Sequence, residues 1–175
     1  MASRPLTEPE ASLVLSHLTC LRDRALFVVA LRTGYRVSEL LSLTIDDVTQ
    51  YGRIRDTVAV KRRHMKGKGQ GRSVVLHPEA KAILAEYVAT GVTGRLFAMT
   101  RQHAHRLLRR ACEAAQIEGK VSMHSFRKAF GQRVYQATGN NIVAAQRALG
   151  HLSLSSTTAY LSVGQDEVDR AILGV

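Results

Sequence analysis

Apolar residues recur at helical spacing through most of the chain, and the residues that flank each stretch mark where helices begin and end. Thr7 and Glu10 have the spacing of a capping box and predict the start of a first helix. A second apolar stripe predicts a helix over residues 21–33. Gly34 follows it directly and is suited to the left-handed conformation that ends many helices. Residues 38–43 have the pattern of a short third helix.

Two segments instead alternate apolar and polar residues with the period of a β-strand. Residues 56–61 and 72–77 both have this pattern, which favours an antiparallel pair. The connection between them, residues 63–71, is rich in glycine and in basic residues. The sequence therefore predicts a β-hairpin with a positively charged tip.

Helical patterns return in the second half of the chain, separated by glycines and prolines. Further helices are predicted over residues 78–88, 100–116, 124–138, 142–149 and 156–161, and from residue 165 onward. No internal repeat or linker divides the sequence. The predicted fold class is mainly α with a small antiparallel β-sheet (α+β), in a single domain over residues 1–175.

Charge is distributed unevenly along the 175 residues. The chain carries 25 Lys and Arg against 14 Asp and Glu, a formal net charge of +11. Residues 1–56 are neutral overall, residues 57–165 carry +13 and residues 166–175 carry −2. This asymmetry favours a polyanionic partner. Nucleic acid is the leading candidate and an anionic membrane surface is the alternative.

Several other classes of protein are disfavoured by the sequence. The N-terminus is polar and the longest apolar run is too short to cross a bilayer, so we expect a cytoplasmic protein. His103 and His105, two residues apart on a predicted helix, would point away from each other. We therefore expect no metal site and no cofactor. Phosphate-binding loop and serine hydrolase motifs are absent from the sequence.

Four short motifs carry residues that could act on a phosphate. Arg36 begins a predicted helix, with Glu39 three residues on to hold its guanidinium. The other three are the lysines of the hairpin tip, a His-x-x-Arg pair at a helix start, and a tyrosine after a Gly-His pair. Each motif also has an ordinary interpretation: a surface arginine, a solvated basic loop, a chance pair and a core aromatic.

In chain order these motifs read TGYRVSELLSL, KGKGQGR, HSFRKAFG and ALGHLSLSSTTAYL. Together, over about residues 7–165, they resemble the catalytic domain of the tyrosine recombinases, the phage integrase family. The resemblance implies a site-specific recombinase or integrase of a mobile element, which cuts and rejoins DNA through a 3′-phosphotyrosine. It implies catalytic roles for Tyr160, Arg36, Lys68, His124, Arg127 and His151, with Glu39 in support.

The resemblance also implies a role for each of these residues. Tyr160 would be the nucleophile, the arginines would bind the phosphate, and His151 would donate a further hydrogen bond to it. His124 would accept or orient a proton, and Lys68 would protonate the leaving oxygen, with Lys66 as the alternative lysine. Contacts to double-stranded DNA are expected from further basic residues, namely Lys61, Arg62, Arg63, Lys66, Arg72, Arg106, Arg109 and Lys128.

Domain organisation and assembly are expected to differ from those of most family members. These carry an additional N-terminal domain that closes around DNA, whereas the first capping box here begins at Thr7. We therefore expect a catalytic domain alone, similar to the small recombinases that invert fimbrial promoters. The apolar face of residues 165–175 would pack on a neighbouring subunit in a homo-oligomer on DNA, from dimer to tetramer. Packing on its own domain is the alternative.

Two other functions remain open from the sequence. One is a non-catalytic relative that binds DNA in regulation, which the six intact residues disfavour. The other is DNA relaxation of the type IB topoisomerase kind, which uses similar chemistry.

Overall fold

The computed structural model describes residues 3–60, 72–151 and 153–158 of the chain. The chain divides into two compact units, Met1–Phe130 and Gly131–Val175. Within the described ranges the helices are α1 (Glu8–Ser16), α2 (Leu21–Thr33), α3 (Val37–Leu40), α4 (Ile45–Val48), α5 (Pro78–Ala89), α6 (Arg101–Ala114), α7 (Met123–Ala137), α8 (Ile142–Leu149) and α9 (Leu154–Thr158).

The predicted signals at the helix ends are confirmed. Thr7 caps α1 by accepting from the N–H of Glu10, whose carboxylate accepts from the N–H of Thr7 at 2.9 Å. Thr100 caps α6 in the same way, through the N–H of His103 at 3.1 Å. These side chains satisfy N–H groups that have no partner within the helix, and so stabilise each first turn.

Two small antiparallel sheets lie in the first unit. The strands β3 (Thr57–Val60) and β4 (Arg72–Val75) form the predicted hairpin. A second pair, β1 (Thr49–Gln50) and β2 (Arg53–Ile54), was not predicted, and neither was α4. Strands β1 and β2 have two residues each and α4 has about one helical turn, which is too short to show a strand or a helix period. The same limit explains why the third helix is residues 37–40 rather than 38–43.

The core of the first unit is built around α2, which is buried along most of its length. Phe27 of α2 packs against Phe126 of α7, with ring centroids 5.5 Å apart. Tyr87 and Phe97 stack with centroids 6.1 Å apart. Because the apolar residues of α2 point in nearly every direction, its C-terminal end is held firmly in the interior.

The second unit contains the packed pair α8 and α9. Asn141 caps α8 by accepting from the N–H groups of Val143 and Ala144, each at 3.0 Å. Gly131 lies against the end of α8, since a Cβ at this position would be 2.9 Å from Cδ1 of Leu149. The short helix predicted over 156–161 is observed as Leu154–Thr158 among the described residues.

The fold class predicted from the sequence is confirmed: the described residues are mostly helical, with two small antiparallel sheets. The predicted hairpin tip (63–71) and the predicted C-terminal helix (165–175) lie outside the described residues. No helix in the described part of the chain is long and apolar enough to span a membrane.

Candidate active site

Helix α2 ends in a tight turn at Gly34, which adopts a φ of 60°. The N–H of Gly34 donates to the carbonyl of Ala30 at 3.0 Å, the single bond of an αL helix end. A Cβ on Gly34 would lie 2.4 Å from Cδ1 of Phe130. The position therefore requires glycine both for its backbone conformation and for its packing. The turn places Arg36 at the N-cap of α3.

Arg36 is held by Glu39 in the arrangement that the sequence spacing predicted. The Glu39 carboxylate accepts from the backbone N–H of Arg36 at 2.7 Å and from its Nη1 at 2.8 Å. The Glu39 side chain is only 1% exposed, whereas that of Arg36 is 26% exposed. A buried carboxylate thus fixes a guanidinium that still reaches the surface, where an anion can approach it.

Arg127, on α7, is fully buried and reaches the same turn. Its Nη1 donates to the carbonyl of Gly34, two residues before Arg36. Arg72, the first residue of β4, donates to the carbonyl of Thr33 and, at 3.4 Å, to that of Gly34. Two guanidinium groups from distant parts of the sequence therefore share one carbonyl oxygen.

Arg72, which the sequence analysis expects among the DNA contacts, is buried in the structure. Arg72 is 7% exposed, and its guanidinium lies over the ring of Tyr35 at 4.7 Å and that of Phe130 at 5.7 Å. Burial, and next the charge of Arg127, lower the pKa of Arg72 to about 10, so it stays charged at neutral pH. Strand alternation, which puts Arg72 on the face of Val74, was a signal that could have indicated its burial.

Tyr35 links the turn at Gly34 to the two hairpin strands through its hydroxyl group. Its hydroxyl lies 2.7 Å from the carbonyl of Val58 and 3.0 Å from that of Arg72, one on each strand. Burial raises the pKa of Tyr35 to about 12. A buried, hydrogen-bonded and poorly acidic phenol has a structural role, so Tyr35 is not a candidate nucleophile despite its place beside Arg36.

His124 lies in the first turn of α7, one helical turn before Arg127. Partial desolvation lowers the pKa of its imidazole, and the charges of Arg127, Arg36, Lys128 and His105 lower it further. The ring retains an exposed face. An accessible imidazole that is uncharged at neutral pH can accept a proton.

His151 lies in the second unit, directly after the glycine that ends α8. Its N–H donates to the carbonyl of Gln146 at 3.1 Å, and its own carbonyl accepts from Nε2 of Gln146 at 3.2 Å. Its Nδ1 is 3.0 Å from Oγ1 of the buried Thr157. Thr157 was not singled out from the sequence, and nothing in a Ser/Thr-rich stretch distinguishes a hydroxyl that is buried from those that are exposed.

Of the remaining predicted site residues, three lie in the described part of the chain and the others lie outside it. Arg106 and Arg109 are exposed on α6, where they line a cavity of about 250 Å³ together with His105 and Ser122. Lys128 is half-buried and donates to the carbonyl of Ser3 at 2.7 Å. Outside the described residues lie Tyr160, Lys61, Arg62, Arg63, Lys66 and Lys68.

No group of three His, Cys, Asp or Glu residues within the described ranges is arranged to hold a metal ion. His103 is half-buried and His105 is exposed on α6.

Comparison with known proteins identifies the class of protein that this fold and these residues represent. Residues 5–167 match the model of the phage integrase family, so the chain belongs to that family. Tyrosine recombinase XerD of Corynebacterium glutamicum is 27% identical over 162 residues, which cover 85% of this chain and 50% of that protein. The probable integrase/recombinase YoeC of Bacillus subtilis is 29% identical, over 83% of this chain and 80% of its own length. The chain spans about half the length of the XerD and XerC relatives it matches.

Solved structures agree on the fold. XerA recombinase superposes with a TM-score of 0.80 at 24% identity, covering 99% of this chain and 65% of that one. XerH recombinase bound to a palindromic difH substrate has a TM-score of 0.79 at 24% identity, covering 96% of this chain and 51% of that one. The catalytic domain of bacteriophage HP1 integrase has a TM-score of 0.68 at 24% identity, and the match covers 98% of this chain and 94% of that one. The fold is thus that of the tyrosine recombinase catalytic domains.

Proposed function

We propose that this chain is the catalytic domain of a site-specific DNA recombinase or integrase, which cuts and rejoins strands through a 3′-phosphotyrosine on Tyr160. The observation that carries the proposal is the convergence of Arg127 on the carbonyl of Gly34, two residues before Arg36. Together with Glu39 against Arg36, this contact holds two arginines of the family motif at one turn. Family membership and the excess of positive charge over residues 57–165 support DNA as the substrate.

The arginines act on the charge that develops during the reaction. Attack of a phenolic oxygen on a phosphodiester forms a five-coordinate phosphorus with additional negative charge on its nonbridging oxygens. Arg36 and Arg127 remain charged throughout and offer paired N–H groups to these oxygens. Because Glu39 fixes Arg36 in advance, little reorganisation accompanies the step.

Proton transfer is assigned to the histidines and the hairpin lysine. The phenol of Tyr160 loses its proton to His124, whose lowered pKa keeps it uncharged and able to accept. Lys68 gives a proton to the leaving 5′-oxygen. The phosphotyrosine bond conserves the energy of the cut strand, so a new 5′-hydroxyl can be joined without nucleotide hydrolysis.

His151 donates a further hydrogen bond to a nonbridging oxygen. A neutral imidazole carries a proton on only one nitrogen, so donation from Nε2 requires Nδ1 to be an acceptor. The hydroxyl of Thr157, 3.0 Å from Nδ1, meets this requirement when it donates to that nitrogen.

Assembly on DNA belongs to the same proposal. Strand exchange joins ends from two duplexes, so we propose that copies of the chain act together, as a dimer to tetramer. Residues 165–175 carry apolar positions suited to an intersubunit contact.

The test is the covalent intermediate itself. A binding site is first selected from random duplexes, then nicked near the cleavage point so that the released fragment diffuses away and the adduct accumulates. Wild-type protein should form an adduct that survives denaturing electrophoresis, and Tyr160→Phe should form none. Tyr51→Phe, which alters a tyrosine that is 95% exposed, is the matched control and should react like the wild type. Absence of any adduct from the wild type would contradict the proposal, and relaxation of supercoiled DNA without sequence preference would replace it with topoisomerase activity.

A further inference from the structure

We propose that Arg72 is a positioning residue for the two phosphate-binding arginines, Arg36 and Arg127. It orients the carbonyls of Thr33 and Gly34 so that both guanidinium groups contact the scissile phosphate together. The inference rests on the proposed function and deepens it. Arg72 would not touch the DNA, because its guanidinium donates to the carbonyls of Thr33 and Gly34 and lies against the rings of Tyr35 and Phe130.

The contacts of Arg72 place it between the hairpin and the turn. From the start of β4 it donates to the carbonyls of Thr33 and Gly34, 39 and 38 residues earlier in the chain. Arg127 donates to the same Gly34 oxygen from 93 residues later. Since a carbonyl oxygen has two lone pairs, both donors can be accommodated, and the orientation of that one peptide group then affects both arginines.

Stability alone does not account for a charged residue at this position. Arg72 and Arg127 are like charges near one another, and burying either guanidinium costs solvation energy. The Nε of Arg72 has no hydrogen-bond partner within the described part of the chain. An apolar side chain of similar length would pack between Tyr35 and Phe130 without these costs. What only the guanidinium supplies is a rigid pair of donors to two successive carbonyls.

Removal of those donors releases the peptide between Thr33 and Arg36. The Gly34 carbonyl can then rotate, which shifts the acceptor of Arg127 and the segment that leads into α3. Arg36 and Arg127 remain present and charged, but their alignment with each other is lost. The expected defect is therefore in transition-state stabilisation and not in DNA affinity.

The experiment compares Arg72→Met and the milder Arg72→Lys with Arg32→Met on two substrates. Arg32 is the matched control: it lies one residue before the turn and pairs with Glu8 at 3.1 Å and Glu79 at 2.6 Å. One substrate has the normal scissile phosphate. In the other, a methylphosphonate replaces one charged nonbridging oxygen with a methyl group, which lessens the need for cationic stabilisation.

On the normal substrate, Arg72→Met should slow single-turnover cleavage by about tenfold to a hundredfold at nearly unchanged DNA affinity, as small misalignments do. On the methylphosphonate the deficit should shrink to about threefold or less, because the misaligned groups are no longer required. Arg72→Lys should give the same pattern at smaller size, and Arg32→Met should show no such difference. Equal deficits on both substrates would overturn the positioning role.

A second measurement does not depend on activity. The Nε–Hε resonance of Arg127, assigned by its loss in Arg127→Lys, should shift or broaden in Arg72→Met and stay in place in Arg32→Met. An unchanged resonance would overturn the proposal even if cleavage slows. If the resonance moves while the wild type forms no adduct on any selected site, the coupling of the two arginines stands and the proposed function fails.

Discussion

Two described helices of this protein end at a glycine that lies within two residues of a proposed active-site residue, yet the two helix ends are held by different contacts. Helix α2 ends at Gly34, with φ 60°, ahead of Arg36; helix α8 ends at Gly150, with φ 63°, ahead of His151. Gln146 and Thr157, which contact His151, lie five and six positions from it in sequence. The contacts of the Gly34 turn include Arg72 and Arg127, from far along the chain.

The two helix ends also differ in hydrogen-bond pattern. After α8, the N–H groups of Gly150 and His151 donate to Arg147 and Gln146, the paired bonds of a Schellman motif. After α2 a single backbone hydrogen bond, from the N–H of Gly34 to the carbonyl of Ala30, closes the helix. The carbonyls of Thr33 and Gly34 accept hydrogen bonds from arginine side chains instead. A local motif fixes the backbone of His151, whereas the turn before Arg36 also accepts hydrogen bonds from distant parts of the first unit. The Gly34 turn should therefore be much more sensitive to substitution.

Alanine at each glycine tests this difference with the largest expected effect. Gly150→Ala places a side chain in the left-handed region, which costs about 1–2 kcal/mol. Gly34→Ala has the same cost and also places a Cβ 2.4 Å from Cδ1 of Phe130, which adds about 1–3 kcal/mol of overpacking. Urea unfolding of the two variants measures both values. Equal losses of stability would show that the contact with Phe130 relaxes freely and that the two helix ends are equivalent.

Substitution of Glu39 tests how far the cleavage rate depends on the contact that holds Arg36 after the first of these helix ends. Glu39→Gln keeps the shape of the side chain but removes the charge that holds Arg36, so cleavage should slow by about tenfold to a hundredfold. Glu10→Gln is the matched control, because Glu10 holds Arg4 at 2.6 Å and closes a capping box in the same way. Single-turnover cleavage rates decide the outcome: an equal loss in both variants would indicate general destabilisation.

The smallest effect is expected at the second helix end. Thr157→Val removes the hydroxyl beside Nδ1 of His151 and preserves its volume, so Nε2 is no longer held as the donor. Cleavage should fall by about threefold to tenfold, since the backbone of His151 stays fixed by Gln146. Thr158→Val, one residue on and exposed, should leave the rate unchanged. A loss larger than that of Glu39→Gln would reverse the ranking of the two regions.

Much of the fold was predictable because its signals are local. The capping box at Thr7, the end of α2 at Gly34 and the bounds of α8 each depend on a few neighbouring residues, and all were predicted correctly. The contact of Glu39 with Arg36 was predictable for the same reason, since three residues along a helix return to the same face. Helix α4 and the β1–β2 pair were missed because a helix of about one turn and strands of two residues are too short to show their period.

By itself, the sequence determined the helices with clear caps, the hairpin strands, the family and the identity of the candidate residues, since each depends on spacing along the chain. Only the tertiary structure decided that Arg72 is buried and that it shares the Gly34 carbonyl with Arg127. Basic residues that bind DNA and those that brace the interior look alike in a sequence. They differ in their distant partners, which come together only when α2, β4 and α7 pack.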